Sequence, residues 1–465
     1  MRLTLGDIST RMRGRILSGS PDLVPRGASI DSRTLLSGEL FFAIRGSVHD
    51  GHLFSAAAVG AGACGVVVDA KGVASAAGGR GAVVVVDDTT RALQDLAASV
   101  RAESRVAVAA ITGSVGKTTT KDLARLLLSG ERRVHASPGN LNNHYGLPLA
   151  LLRLPADAEA CVLELGISTP GEMDRLVEMA APDVGLVTRV SSVHLGNFPS
   201  FDALCDEKMK LPRGSRRALL NSDDEAQVAR AAGIAAVSWF GEGDAATGLR
   251  LVAVESQGLA GSHVTLDECG ERHAVQLPLA GRHQARNLLA AAAIARALGV
   301  SWESLVAQAA QARPTRHRGE VLDVSGTTVV DDTYNANPLA MRAALELLGE
   351  RRSRGRRIFV AGDMLELGEI AEKEHESLGR DAAARAEIVV AVGPLGALVA
   401  RAARAGGAEA IALENAAAAG EWLVANVREH DVVLLKGSRG IGLDRALDIL
   451  VESRGPVSNG AGGRS

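Results

Sequence analysis

The chain has 465 residues, 46% of them hydrophobic and 23% charged, with a formal net charge of −3 and only 3% aromatic residues. That length allows two to four domains, with cores built from aliphatic side chains and alanine. The lack of a long basic run and the shortage of aromatics argue against a nucleic-acid or membrane-surface role and suit a small metabolite better.

Four cysteines, Cys64, Cys161, Cys205 and Cys269, form no CxxC pair. That spacing argues against a zinc cage or a disulfide scaffold and suits a reducing compartment. The opening stretch "MRLTLGDISTRMRGR" lacks the apolar segment of a signal peptide. The alanine-rich run 288–300 is broken by Arg296 and is too short to span a bilayer. A cytoplasmic protein without membrane insertion is expected.

In chain order, residues 1–103 alternate short strands ("ELFFAI", "CGVVVD", "AVVVVDD") with alanine-rich helical stretches. Residues 104–312 read as a nucleotide-binding α/β domain. There "VAVAAIT" is a buried strand and "TTTKDLARLLLS" has helical spacing. The runs "CVLELG", "VGLVTRV" and "RALLN" are continuous rather than alternating, which predicts parallel strands. Residues 313–455 hold "TTVVDDTY", "RIFVAGDM", "EIVVAVG" and "DVVLLKGS" between helical segments, a Rossmann-like pattern. Residues 456–465 read as a disordered tail.

Between the first central strand and its helix lies "TGSVGKTT", a phosphate loop without the usual leading glycine, whose place is taken by Ile111. Glycines let backbone N–H groups approach phosphate oxygens, and the helix N-terminus adds partial positive charge. Gly113, Ser114, Val115, Gly116, Lys117, Thr118 and Thr119 are therefore the candidate cradle. Lys117 would neutralise the outer phosphates and Thr118 would offer its hydroxyl to Mg²⁺. Glu164, ending the "CVLE" run, falls at the carboxyl end of a strand, where α/β sheets bind ligands, and is a second Mg²⁺ candidate. Asn140, Asn142 and Asn143 crowd a loop before a helical segment, where asparagines also serve as caps and turn formers.

Taken in order, "TGSVGKTT", "NLNN..GLPLALL", "ELG", "HLGNF…EK", "GRHQARN", "RHRGE" and "DDTYNANP" resemble the Mur ligases, over nearly the whole chain. The resemblance implies a three-domain α/β architecture with a central P-loop-type ATPase domain and a C-terminal Rossmann-like domain. "DDTYNANPLAM" followed by "AGDMLELG" is most similar to the branch of the family that adds a dipeptide. The implied substrates are UDP-N-acetylmuramoyl-tripeptide and D-alanyl-D-alanine, joined at the expense of ATP through an acyl phosphate, by a monomer. The alternatives are a relative that adds the third stem residue and a non-catalytic ATP-binding homologue. Leu339 after the Asn-Pro pair disfavours the first.

The resemblance also assigns residues. Lys208 is expected to be carbamylated and, with His194, Thr118 and Glu164, to hold two Mg²⁺ ions. Lys210 is a competing candidate for that modification. Asn287 is placed at the adenine, with His283 close by, although His283 and Gln284 also suit helix capping. Arg318 and Asp332 reach the ribose and phosphates from the third domain. Ser32 and Arg33 are candidate contacts for the uridine diphosphate, and Asn140, Asn143 and Ser168 are further candidate substrate contacts. Lys436, Ser438 and Arg439 are candidates for the dipeptide carboxylate. The linker near Pro314 is a candidate hinge.

Overall fold

The computed structural model describes residues 3–455 except 47, 77–80, 192–194 and 351–353, together with the backbone of 457–459. Three β-sheets follow one another along the chain. The first has five strands in the spatial order Arg15–Ser18, Ala82–Val85, Gly65–Val68, Glu39–Phe42, Gly27–Ser29. All neighbours are parallel except the first pair.

The central sheet has nine strands. Ala107–Thr112 lies between Ala160–Glu164 and Val184–Val187, parallel to both, and every residue of Ala160–Glu164 and Val184–Val187 is buried. Arg217–Asn221 and Val237–Gly241 continue the parallel order. The uninterrupted apolar runs predict this, since such strands bury both faces. The sheet then extends through Leu249–Ser256, Ser262–Glu268 and Glu271–Leu277, whose last two pairings are antiparallel. This hairpin extension was not read from the sequence. Its signal is alternation, with Val264 and Leu266, then Val275 and Leu277, facing the core between less buried neighbours.

The third sheet runs Glu409–Leu413, Ile388–Val392, Arg357–Gly362, Val432–Lys436, Thr327–Asp332, Glu320–Val324, Val457–Asn459. Its first five strands are parallel, with the order reversing between Arg357–Gly362 and Val432–Lys436. Residues 457–459 pair antiparallel with Glu320–Val324, so part of the stretch expected to be a disordered tail is a strand. Residues 456 and 460–465 lie outside the described set.

The cores are not divided as the sheets are. One cluster runs from Leu40, Val84, Leu93 and Leu96 of the first unit into Val108, Leu163, Met173, Leu176 and Leu204 of the second. Buried Arg101 reinforces the joint, donating Nε to the Ala180 carbonyl (2.8 Å) and Nη2 to the Ala181 carbonyl (2.8 Å). The third sheet packs around two clusters of its own. It meets the central unit through few groups. Leu259, at the tip of the hairpin 249–268, packs into a socket formed by Val330, Ala344, Leu347, Leu348, Val432 and Leu434. Nearby, the Ser256 hydroxyl donates to Glu350 Oε2 at 3.1 Å.

Candidate active site

The loop after Ala107–Thr112 leads into the helix Lys117–Ser129, which buries Leu123, Ala124, Leu127 and Leu128 against the sheet and the helix Arg282–Ala297. Gly116, at φ +80°, begins that helix, and a Cβ there would lie 2.4 Å from Asn287 Oδ1. A Cβ on Gly113 would lie 2.0 Å from Thr188 Oγ1. Both positions therefore require glycine. Thr188 pins the loop by donating to the Val115 carbonyl (2.6 Å), and Ser114 Oγ donates to the Ser191 carbonyl (2.9 Å).

This loop lines a cavity of about 660 Å³ between the second and third sheets, within the range of nucleotide and cofactor sites. Ser114 to Thr119, Glu164, Lys208, Asn287, Arg318, Asp332, Asn140, Asn143, Ser168 and Lys436 all line it. The loop residue outside this lining is Gly113, whose carbonyl instead accepts from both Lys117 Nζ (3.0 Å) and Lys208 Nζ (3.1 Å). Two ammonium groups thus meet at one oxygen. Burial first, and then the charge of Lys117 beside it, push the Lys208 pKa down to about 7. Desolvation lowers Lys117 too, opposed by Glu164 and assisted by Arg318. Lys210, the competing candidate, is instead paired with Asp174 (2.6 Å) and Glu207 (2.7 Å), which raise its pKa.

Glu164 is 2% exposed. Its Oε2 accepts from Thr118 Oγ1 (2.7 Å) and its Oε1 from Asn142 Nδ2 (2.8 Å). Asn142 is therefore the asparagine of the crowded loop that touches the carboxylate. Asn143 uses its Oδ1 to accept from the backbone N–H of Tyr145 (3.1 Å) and Gly146 (2.8 Å), closing the turn that leads into the helix Gly146–Leu152. The loop itself is tied to the phosphate-loop helix by Lys121, whose buried Nζ donates to the carbonyl of Ser137 at 2.8 Å.

From the third sheet, Arg318 Nη2 donates to Thr118 Oγ1 at 3.2 Å, and its guanidinium lies 3.8 Å from the centre of the Tyr334 ring. Lys436 Nζ donates to Asp332 Oδ2 (2.7 Å) and to the Asn335 carbonyl (3.0 Å). Desolvation pushes the His283 imidazole down to about 4 against the pull of Asp332, so it is neutral near pH 7. The capping alternative for His283 and Gln284 does not hold. The helix begins at Gly281 without a side-chain cap, and Gln284 Oε1 accepts from Asn287 Nδ2 at 3.1 Å.

Other sequence candidates are placed elsewhere. Arg33 is exposed and forked onto Asp31 (Nε to Oδ1 2.9 Å, Nη2 to Oδ2 2.7 Å), and neither it nor Ser32 lines the cavity. Ser438 is buried and accepts from the Leu365 N–H at 2.9 Å, while Arg439 is exposed beside Asp444. His194 lies outside the described residues. Residues not singled out from sequence also line the cavity, among them Thr188, Asn221, Phe240 and Glu242. Each lies within a residue or two of the carboxyl end of a parallel central strand, which is the positional signal that finds them.

Hydroxyl and carboxylate oxygens at Thr118 and Glu164 form the donor set of a hard divalent cation. Among the described residues no group of three or more His, Cys, Asp or Glu forms a metal cluster, so a further ion would need donors beyond these. Such a cation would neutralise charge on bound phosphates.

A phosphate loop on one sheet, faced by an arginine and an aspartate from another, defines a nucleotide-dependent enzyme whose site is shared between two domains. Family comparisons agree. The Mur ligase family catalytic domain matches residues 26–101, the Mur ligase middle domain 111–295 and the Mur ligase glutamate ligase domain 317–439. The UDP-N-acetylmuramoyl-tripeptide–D-alanyl-D-alanine ligase of Bacillus subtilis is 32% identical over 461 residues, covering 97% of this chain and 99% of that protein. The enzyme of the same description from Mycobacterium tuberculosis is 34% identical over 509 residues, covering 97% and 98%. Among solved structures, MurF from Acinetobacter baumannii superposes with a TM-score of 0.84 at 30% identity, covering 97% of this chain and 99% of that one. The MurF ligase of Thermotoga maritima in complex with ADP gives 0.79 at 27% identity, covering 93% and 98%. The chain belongs to the Mur ligase family.

Proposed function

We propose that the chain is the ATP-dependent ligase that joins D-alanyl-D-alanine to UDP-N-acetylmuramoyl-tripeptide, in cytoplasmic peptidoglycan precursor synthesis. The relatives of that description, aligned along almost the whole length, support the substrate pair. The observation that carries the chemistry is the convergence of Lys117 and Lys208 on the Gly113 carbonyl beside the Thr118–Glu164 pair.

A carboxylate does not acylate an amine at neutral pH, because its oxygen leaves poorly. The terminal carboxylate of the tripeptide therefore attacks the γ-phosphorus of ATP, the bond to the bridging oxygen breaks, and ADP leaves. The dipeptide amine then adds to the acyl phosphate, loses a proton, and phosphate departs as the amide forms. Phosphoryl transfer asks mainly for positioning and charge neutralisation. Lys117 and the backbone N–H groups of residues 115–118 supply these at the phosphates, and Arg318 closes over them from the third domain. The Ser114 N–H is held instead by the Arg189 carbonyl at 2.6 Å. Neutral His283 and the Asn287 amide suit the uncharged parts of the nucleotide.

Thr118 and Glu164 would hold Mg²⁺, which supplies charge neutralisation to the phosphates when bound. Lys208 fits carbamylation. With a pKa near 7, a large share of its amine is unprotonated at neutral pH and free to attack CO₂, forming an N–C bond and releasing one proton. The carbamate so formed would turn a buried cation into an oxygen donor, with His194 as the companion ligand implied by the family.

The test is phosphate release with ATP, Mg²⁺, bicarbonate and UDP-N-acetylmuramoyl-tripeptide, with and without D-alanyl-D-alanine, with product mass determined. Release only with the dipeptide, and a product heavier by one dipeptide less water, is expected. Turnover with a single amino acid instead would overturn the substrate assignment, and no turnover at all would overturn the ligase reading.

A further inference from the structure

Arg318 reaches the phosphate-loop helix from a short turn that carries an unusual residue. The Arg318 N–H donates to the Thr315 carbonyl at 2.9 Å, and His317, the third position of that turn, has φ +64°. A turn with positive φ there ordinarily uses glycine or asparagine, so histidine is held at a cost that something else must offset.

The offset is visible. His317 Nδ1 donates to Asp331 Oδ2 at 2.7 Å. Asp331 is 1% exposed, and its other oxygen accepts from Thr333 Oγ1 (2.7 Å) and the Thr333 N–H (3.2 Å). The His317 carbonyl accepts from the Tyr334 N–H at 3.1 Å, which places the aromatic ring that Arg318 stacks on. On its other side the turn grips the central domain at two points one helical turn apart. Thr315 Oγ1 donates to Asp122 Oδ2 (2.9 Å) and Arg318 Nη2 to Thr118 Oγ1 (3.2 Å).

We propose that His317, locked by Asp331, is a positioning residue that sets the reach of Arg318 across the domain boundary onto the phosphate end of the nucleotide. The turn 315–318 then acts as a two-point register between the third sheet and the phosphate-loop helix. Buried Asp331 fixes the imidazole, the imidazole fixes the turn, and the turn fixes both contacts to the helix. This rests on the nucleotide site described under the proposed function.

The experiment is a double-mutant cycle. His317→Gly, His317→Asn, Arg318→Ala and the His317→Gly/Arg318→Ala pair are compared with the unmodified chain. The readouts are calorimetric affinity for the β,γ-imido analogue of ATP with Mg²⁺, kcat and KM for ATP, and thermal unfolding. Glycine adopts φ +64° freely, so His317→Gly should keep the melting temperature. It should nonetheless weaken analogue affinity and kcat/KM by roughly 3- to 30-fold, the span of couplings carried through contact networks. Asparagine tolerates the same backbone and its amide can donate to Asp331, so His317→Asn should recover most of the loss. In the Arg318→Ala background, His317→Gly should add nothing.

Equal losses in both backgrounds would overturn the proposal, as would a loss that tracks a fall in melting temperature with no recovery by asparagine. Should the unmodified chain turn over neither substrate, the ligase reading fails, while the affinity cycle still decides the role of His317.

Discussion

Replacing Lys208 with methionine should stabilise the protein and abolish turnover. The side chain is 2% exposed, and its hydrogen-bond acceptor is an uncharged carbonyl shared with a second ammonium group. Its folded pKa of about 7 lies about 3.5 below the ordinary 10.5. At 1.36 kcal/mol for each pH unit, holding the protonated amine there costs the folded state on the order of 4 kcal/mol at pH 7. The sign follows from proton counting. Below pH 7 both states are protonated and the full penalty is present. Between pH 7 and 10.5 the unfolded chain holds more protons than the folded one, so stability rises with pH. Methionine has similar length, no charge and no titration. In CO₂-free buffer without nucleotide, the variant should therefore be the more stable protein at pH 7. That advantage should shrink by roughly 2 kcal/mol at pH 9. Urea unfolding of both proteins at the two pH values reads this directly, as a difference in which the titrating groups not coupled to Lys208 cancel. A gap that does not narrow with pH would refute the claim that Lys208 is a desolvated cation poised to lose its proton.

Lys117→Met should lower kcat/KM for ATP by about 10²–10³-fold, comparable with removing one donor from a charge-stabilising site. Unchanged steady-state kinetics would remove Lys117 from the mechanism. Gly116→Ala forces a methyl to 2.4 Å from Asn287 Oδ1 in a backbone at φ +80°. It should cost about 1–3 kcal/mol of stability and weaken nucleotide binding, and undiminished calorimetric affinity would contradict that. Leu259→Ser removes the apolar plug of the socket on the third sheet. Docking should weaken by about 1–2 kcal/mol, seen as a larger radius of gyration in solution scattering without ligand. An unchanged radius would show that other contacts hold the sheet.

The parts of the site made by local sequence were legible. A strand, two glycines, a lysine and a threonine fix the phosphate loop, and Glu164 is found from its place at a strand end. Residues whose role depends on distant packing were harder to read. Nothing local distinguishes Asn142, which meets Glu164, from Asn143, which closes the turn before the next helix. Arg33 carries the right charge for a diphosphate, and its exposed guanidinium forks onto Asp31 two residues earlier. The His317–Asp331 pair is invisible in "RHRGE" and "DDTY" taken separately, since strand pairing of Glu320–Val324 with Thr327–Asp332 brings the two segments together. The central hairpins did carry a signal, period-two alternation, beside the stronger pattern of the parallel strands.

The continuous core beneath the first two sheets sets where this chain can be divided. Cutting near residue 104 would strip Val84, Leu93 and Leu96 from Val108, Leu163 and Met173, exposing an apolar face on each fragment. The expected result is two insoluble pieces. Cutting near residue 312 severs mainly the hairpin socket, two polar staples and the Arg318 reach, and leaves the third sheet with its own two clusters. Grafting a C-terminal unit from a relative is therefore a reasonable engineering step, whereas exchanging the first hundred residues would require redesigning the floor of the central sheet as well.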